Sequence, residues 1–441
     1  MRAEQPRMEQ ELDEATTVEV TGPVALGGSI TVPGDKSISH RALLLAGLCE
    51  GESTVHGLSS GDDVQRTRQA LADLGVRFTD VDGALRVRGG IRTEPSSPLD
   101  LGNSGTAMRL LAGVCAGQDM FTVLTGDKFL RARPMDRVAV PLRAMGAKVD
   151  GRHDGTLAPL AIRGGNLMGI HYASPVASAQ VKSAIMLAAL AADGSTTVVE
   201  PVPTRRHTEE MLDLFGVDVT VDGTSVTVSR ASLVPATVNV QGDPSQAAFW
   251  AVGALIAPDS QVVVENLYTG PGRTGFVDVL QRMGGRLELD PTTGLLSIAS
   301  GRLSATSIGT EDIPGIVDEI PVLAVAAAAA NGTTVISGAE ELRVKESDRI
   351  TSTVAMLTAF GARAEETPDG MVIEGGAALR GGVVHSQGDH RIAMAAAVCG
   401  MAAVGTTVIS GWDSVATSYP GFGDHVALLS QGKAQLRPIT D

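Results

Sequence analysis

The cations of this chain gather where loops turn into helices, and such positions suit the binding of small anions. In Val32-Pro33-Gly34-Asp35-Lys36-Ser37-Ile38-Ser39-His40-Arg41 a short strand and a Gly turn lead into an apolar run, Ala42–Leu48, that reads as a buried helix. The unpaired N–H groups of its first turn attract an anion, and Lys36 and Arg41 add full positive charge beside them. Arg109, Arg131, Arg133, Lys182, Arg205, Arg206, Arg343, Lys345, Arg349 and Arg391 occupy comparable junctions. Several stand beside Gly, Ser or Asn, as in Gly102-Asn103-Ser104-Gly105-Thr106-Ala107-Met108-Arg109. Arg grips a carboxylate or phosphate at two points at once, whereas Lys acts as a point charge or passes a proton. One such residue is more often a solvated surface group. Their recurrence is what points to a site.

Carboxylates stand among these cations. In Glu340-Glu341-Leu342-Arg343-Val344-Lys345-Glu346-Ser347-Asp348-Arg349, Glu346 lies between Lys345 and Arg349, and Asp318-Glu319 opens the preceding helix. A carboxylate held among cations can move protons in a closed site, an effect of about 10²–10⁴-fold. As a surface salt bridge it would contribute only about 0–1 kcal/mol to stability. The expected chemistry is proton transfer beside a bound anion. No nucleophile elbow, Walker loop, paired metal-binding His or dinucleotide fingerprint is present.

The elements that must position these groups follow from the rest of the chain. Its 441 residues are long for one core, so two domains are expected. With 52 glycines and only 3% aromatics, the cores should be built of Ala, Val and Leu and joined by tight turns. A formal charge of −15 argues against nucleic acid or an anionic membrane as partner, but not against small anions met by locally gathered cations. Cys49, Cys115 and Cys399 each sit in an apolar run and read as buried structural thiols, which fits a reducing compartment. No run is long and apolar enough to span a membrane. Residues 1–16 are polar and Glu-rich, as a disordered tail would be, and resemble neither a signal nor a transit peptide.

An internal repeat organises the remainder. A helix of small residues followed by a Thr/Val-rich strand recurs six times, with helix starts near Ser37, Ser104, Ser178, Ser245, Glu319 and His390. A second helix in each copy ends in a hydrophobic residue plus Gly: Leu74-Gly75, Met145-Gly146, Phe215-Gly216, Met283-Gly284 and Phe360-Gly361, with Gln431-Gly432 as a degenerate last copy. Gly directly after an apolar-periodic helix is the usual stop. Val238-Asn239-Val240-Gln241-Gly242-Asp243-Pro244-Ser245 echoes Ile30-Thr31-Val32-Pro33-Gly34-Asp35-Lys36-Ser37, so units one to three and four to six form two halves. If the helix starts converge, the cleft between halves becomes an electropositive focus on an acidic protein.

Six motifs carry a resemblance to a known family. They are Gly34-Asp35-Lys36-Ser37-Ile38-Ser39-His40-Arg41, Leu101–Arg109, Arg131-Ala132-Arg133-Pro134, Ser178-Ala179-Gln180-Val181-Lys182, Glu341–Arg349 and Asp389-His390-Arg391-Ile392-Ala393-Met394. In order, from about Gly27 to Gly421, they resemble the EPSP synthases, the 3-phosphoshikimate 1-carboxyvinyltransferase family of enolpyruvyl transferases. The resemblance implies an α/β fold: a two-domain inside-out α/β barrel of six βαβαββ repeat units, three per domain. It places one domain at 34–241 and the other at 17–33 plus 242–441. It implies transfer of the enolpyruvyl group of phosphoenolpyruvate to the 5-hydroxyl of shikimate 3-phosphate, with release of phosphate, on the route to chorismate. No metal or organic cofactor, no nucleic acid and no membrane is implied; a cytoplasmic monomer is.

Carried over motif by motif, the resemblance assigns Lys36, Asp318 and Glu346 to catalysis. It assigns shikimate 3-phosphate to Lys36, Ser37, Arg41, Ser178, Ala179, Gln180, Arg205, Asp318 and Lys345. Phosphoenolpyruvate falls to Lys36, Asn103, Gly105, Arg133, Gln180, Arg349 and Arg391. The chain departs from the family pattern in Val415-Ala416-Thr417-Ser418-Tyr419-Pro420, where many relatives carry a Lys. The motifs around Lys36, Ser178 and Arg205 look like the glyphosate-tolerant class, whereas Tyr268-Thr269-Gly270-Pro271-Gly272-Arg273-Thr274 lacks that class's Asn-x-Thr-Arg and Gly105 stands where a tolerant enzyme can carry Ala. Tolerance stays open. Two rival readings remain. The sister enzyme acting on UDP-N-acetylglucosamine would carry a Cys or Asp at a mobile loop tip, but Cys115 lies in a helix-core context. A non-catalytic scaffold would have lost the cations at its helix starts.

Overall fold

The computed structural model describes residues 16–439, so the tail expected at 1–16 lies outside the described residues apart from Thr16. The described residues form six four-stranded sheets. The second sheet shows the plan. Strand Leu99–Asp100, helix Gly105–Ala116, strand Phe121–Thr125 and helix Asp136–Ala144 are followed by strands Lys148–Gly151 and Leu157–Arg163. The first two strands pair in parallel because a helix crosses between them, and the remaining pairs are antiparallel. This is the expected βαβαββ unit, and the α/β architecture repeats it throughout.

Two units exchange their first strands. Gly27–Ile30, which precedes the helix Lys36–Leu48, pairs in parallel with Gln261–Val264 of the fourth unit. Thr237–Asn239, which precedes the helix Pro244–Ile256, pairs in parallel with Glu52–His56 of the first. The N-terminal strand Thr17–Gly22 completes the last sheet beside Gly405–Ser410. The chain therefore passes twice between its halves, and at the two passages Gly34 bridges Gly242. Two separate buried clusters result. One runs from Ile38 to Val240; the other joins Val18–Val32 to Ala247–Ala434.

The first helix of every unit is buried nearly all round, which is why these segments are rich in Ala and Leu and poor in charge. In Pro244–Ile256 and His390–Ala402 every residue but the last is buried. Their sheets expose one face, as in Glu52–His56, whose ends are exposed while Ser53 and Val55 are buried. Helices lie inside and sheets outside. Each buried helix starts within one position of its expected residue, at Lys36, Gly105, Ala179, Pro244, Ile320 and His390.

The expected Gly stops close the second helices by one geometry. Gly75, Gly146, Gly216, Gly284 and Gly361 all have positive φ. After Leu74, Gly75 N–H bonds to Ala72 O and Val76 N–H to Leu71 O, a Schellman closure. The last copy differs: Gln431, with φ of 54°, takes the left-handed position and Gly432 follows it. The buried helices also need small residues where they touch. A Cβ on Gly113 would lie 2.1 Å from the Ala184 carbonyl oxygen of the helix Ala179–Ala189. Gly113→Ala is expected to lower stability by about 1–3 kcal/mol through overpacking, read as an unchanged slope and a lower midpoint in denaturant unfolding.

Candidate active site

The starts of the buried helices meet at one cavity of about 550 Å³ between the two halves. From the first half it is lined by Lys36, Ser37, Asp63, Gly105, Thr106, Arg109, Arg133, Arg137, Ser178, Ala179, Gln180 and Arg205. The second half supplies Asp243, Ser245, Arg273, Asp318, Glu340, Glu341, Lys345, Glu346, Arg349, His390 and Arg391. Nine cationic side chains face six carboxylates there, so the wall is net positive on a chain of charge −15. The helix N-termini add further positive potential.

The capping residues explain why the sequence folds this way locally. Asp35, Ser104, Ser178, Asp243 and Asp389 each accept a backbone N–H from the first turn of their helix. Lys36 Nζ lies 2.9 Å from Asp63 Oδ2, and its backbone N–H reaches Asp243 Oδ2 at 3.0 Å. Gln180 links Arg109 Nη1, at 2.6 Å, to Thr106 Oγ1, at 2.9 Å.

The two carboxylates singled out from sequence sit between the halves. Asp318 Oδ2 takes Arg205 Nη2 at 3.0 Å from the first half, and its Oδ1 takes Arg349 Nη1 at 3.5 Å. Glu346 Oε1 pairs with Arg133 Nη1 at 3.3 Å across the cleft, and its Oε2 with Arg349 Nη2 at 2.5 Å. Arg349 is anchored in turn by Asp389 Oδ2 at 2.8 Å. Arg391 Nη1 donates to the Asp318 carbonyl at 2.8 Å.

Burial works to raise the Asp318 carboxyl, but Arg391, Arg205, Lys345 and Arg349 outweigh it and hold it well below the usual carboxylate range. Burial likewise opposes ionisation of Glu346, and the charges of Arg133, Arg349 and Lys36 overcome it. Burial first, then Lys36 and Arg391, keep His390 neutral. The site thus holds ionised carboxylates between cations that an incoming anion would compete for.

Of the residues that the resemblance assigned to catalysis or to a ligand, two do not reach the cavity wall. Arg41 is buried beneath it, with Nε on Thr208 Oγ1 at 2.7 Å, Nη1 on the Ser37 carbonyl at 2.9 Å and Nη2 on Ser183 Oγ at 2.6 Å. Asn103 sits behind Arg133 and accepts its Nη2. Among the other candidate cations, Lys182 turns inward to Glu200 and Glu209, while Arg343 lies outside the cavity on Asp348 and Glu366. None of the lining residues comes from Val415–Pro420. A methyl on Gly105 would stand 2.9 Å from Arg133 Nη1, so this wall has no spare room. Cys115 is buried in the helix Gly105–Ala116, its thiol pushed up to about 11 by burial.

Comparison with known proteins decides the family. The family model for EPSP synthase (3-phosphoshikimate 1-carboxyvinyltransferase) matches residues 20–426. The chain belongs to the EPSP synthase family. It is 50% identical over 425 residues to the 3-phosphoshikimate 1-carboxyvinyltransferase of Gloeobacter violaceus, covering 93% of this chain and 98% of the relative. The enzyme of the same name from Pelotomaculum thermopropionicum is 49% identical over 415 residues, covering 91% and 96%. Among solved structures, the EPSP synthase of Acinetobacter baumannii superposes with a TM-score of 0.84 at 39% identity, covering 97% of this chain and all of that one.

In this EPSP synthase family member the sequence reading missed several wall residues, chiefly Asp63, Arg273, Asp243, Ser245 and His390. The signal for Asp243 and Ser245 was present, because Gly242-Asp243-Pro244-Ser245 repeats Gly34-Asp35-Lys36-Ser37 and so fills the matching helix start. Asp63 and Arg273 carry no such mark and are brought in by folding alone. The low-lying titrations of Asp318 and Glu346 have a stability consequence. What they contribute is complete above the unfolded-state values near about 4 and is lost as pH falls through the lower folded ones. Asp318→Asn combined with Glu346→Gln is expected to flatten the fall of melting temperature below about pH 4, and an unchanged acid limb would contradict this assignment.

Proposed function

We propose that the cavity binds shikimate 3-phosphate and phosphoenolpyruvate together and joins them by addition and elimination, releasing phosphate. The observation that carries this reading is the placement of Asp318 and Glu346, each held between an arginine of one half and Arg349 of the other. Two polyanions repel one another, and only cations drawn from both halves can hold them side by side. Shikimate 3-phosphate falls to Lys36, Ser37, Ser178, Ala179, Gln180, Arg205 and Lys345, with Arg41 supporting Ser37 from beneath. Phosphoenolpyruvate falls to Lys36, Gly105, Arg133, Gln180, Arg349 and Arg391, with Asn103 fixing Arg133. Residues 34–241 then act as one domain and 17–33 with 242–441 as the other, closing on the ligands because only the closed form pairs their charges with both.

The steps balance on groups already in the wall. The 5-hydroxyl oxygen attacks C2 of phosphoenolpyruvate as its proton passes to Asp318, while the methylene carbon takes a proton from Glu346 or Lys36. The tetrahedral adduct then loses phosphate, which takes the proton held by Asp318, as the new methyl returns a proton to Glu346 or Lys36, forming the enol ether. Glu346 is ionised in the unliganded site. When the substrate's carboxylate and phosphate draw away Arg133 and Arg349, the balance tips toward burial, and the carboxyl can carry the proton it delivers. The enzyme works as a monomer in the cytoplasm and needs only its two substrates.

Phosphate release with both substrates, against a UDP-N-acetylglucosamine control, tests the reading; release only with the nucleotide sugar would overturn it. Glu346→Gln is expected to leave shikimate 3-phosphate binding nearly intact while lowering turnover by about 10²–10⁴-fold. Near-normal turnover would remove Glu346 from proton transfer.

A further inference from the structure

Lys182 is a cation at a helix start that serves neither ligand. It is 2% exposed and lies 2.8 Å from Glu200 Oε2 and 2.7 Å from Glu209 Oε1. A buried charge of this kind is costly unless every partner is in place, so the arrangement holds its neighbours to one geometry. Glu200 follows the strand Ser195–Val199, and its backbone N–H bonds to the Thr224 carbonyl at 2.9 Å. Its second oxygen, Oε1, accepts the hydroxyl of Thr204 at 2.5 Å, and the Thr204 N–H points to Oε2 at 3.4 Å. These bonds close a short loop that has no regular secondary structure and whose middle, Pro201–Pro203, is exposed. Immediately after the closure comes Arg205, whose guanidinium enters the cavity and meets Asp318 of the opposite half.

We propose that Thr204, seated on the buried Glu200–Lys182 pair, is a positioning residue that aims Arg205 at the phosphate of the phosphorylated hydroxyl substrate. The proposal rests on the assignment of Arg205 to that substrate. An arginine on a loop would otherwise lose rotamer and backbone freedom on binding, and the strut removes that loss in advance. Its influence falls first on one ligand, because the phosphoenolpyruvate cations Arg133, Arg349 and Arg391 stand on other elements, and Arg349 and Arg391 meet Arg205 only through the shared Asp318. Thr204 itself lines the cavity, whereas Glu200, five residues before Arg205 in the same loop, does not, so the carboxylate acts on substrate affinity only through the loop it seats.

Steady-state kinetics of Thr204→Val, which keeps the side-chain shape and removes the hydroxyl, tests this. KM for shikimate 3-phosphate is expected to rise about tenfold, with kcat and KM for phosphoenolpyruvate within about twofold and Thr204→Ser restoring the original value. A purely structural Thr204 would lower the melting temperature and leave the ratio of the two KM values alone. Should Thr204→Val not fold, Glu200→Gln keeps the shape, leaves Lys182 its bond to Glu209, and is expected to show the same split at smaller size. An unchanged KM for shikimate 3-phosphate, or an equal rise for both substrates, would overturn the proposal. Loss of the substrate-dependent reaction in the unaltered enzyme would instead overturn the reading of the whole site.

Discussion

A single buried guanidinium joins the two halves where the chain crosses between them. Arg273 Nη2 lies 2.8 Å from Asp35 and 2.7 Å from Asp243, and Nη1 is 3.9 Å from Glu319. Asp35 and Asp243 cap the two helices that begin at the crossings, and each crossing also hydrogen-bonds the other, Asp35 N–H to Gln241 O and Asp243 N–H to Pro33 O. Burial disfavours the Arg273 charge, but Asp35, Asp243 and Glu319 more than restore it. Removing one partner from a buried ion cluster typically costs about 3–5 kcal/mol. Here the loss would also free the helix starts that carry Lys36, Ser37 and Ser245.

The rest of the architecture turns on that crossing. Because the first strands of units one and four are exchanged, neither half can place its helix starts without the other. The buried helices point their N-termini at one cavity, and the sheets cover them on the outside. An acidic chain can thereby carry a positive pocket: its net charge is spread over exposed strands and outer helices, while the pocket receives helix ends, Arg and Lys. Field of this kind is focused by low-dielectric walls and falls away over a Debye length outside.

Inside the pocket, carboxylates hold the cations that a bound anion would need. Arg133 and Arg349 hold Glu346; Arg205, Arg349 and Arg391 hold Asp318 in place. This pairing keeps the acids ionised and the arginines extended into the cleft. An arriving anion exchanges partners instead of meeting bare charge. Ionisation of the acids is thereby tied to the cations that stay paired with them, a property of the assembled cluster and of no residue alone.

The sequence by itself determined the repeat unit, the helix starts and their caps, and the Gly-marked helix stops. These are local properties: a side-chain oxygen meets an N–H two or three residues on, and positive φ is cheap only without a Cβ. The degenerate copy shows the limit, since Gln431 takes the left-handed place that glycine fills elsewhere and the chain gave no sign of it. The sequence also marked Lys36, Arg133, Glu346, Arg349 and Arg391, which stand in recognisable motifs at loop-to-helix junctions, and Asp318, which opens a helix. Which cations face the cavity was settled by tertiary structure alone. Arg41 and Lys182 have the same local setting as Lys36 but turn beneath the wall to Thr208, Ser183, Glu200 and Glu209. Arg273 and Asp63 have no local mark and reach the cavity through contacts distant in sequence. A charged side chain's direction is set by where its counter-charge lies, and most of those counter-charges come from elements that sequence spacing does not connect.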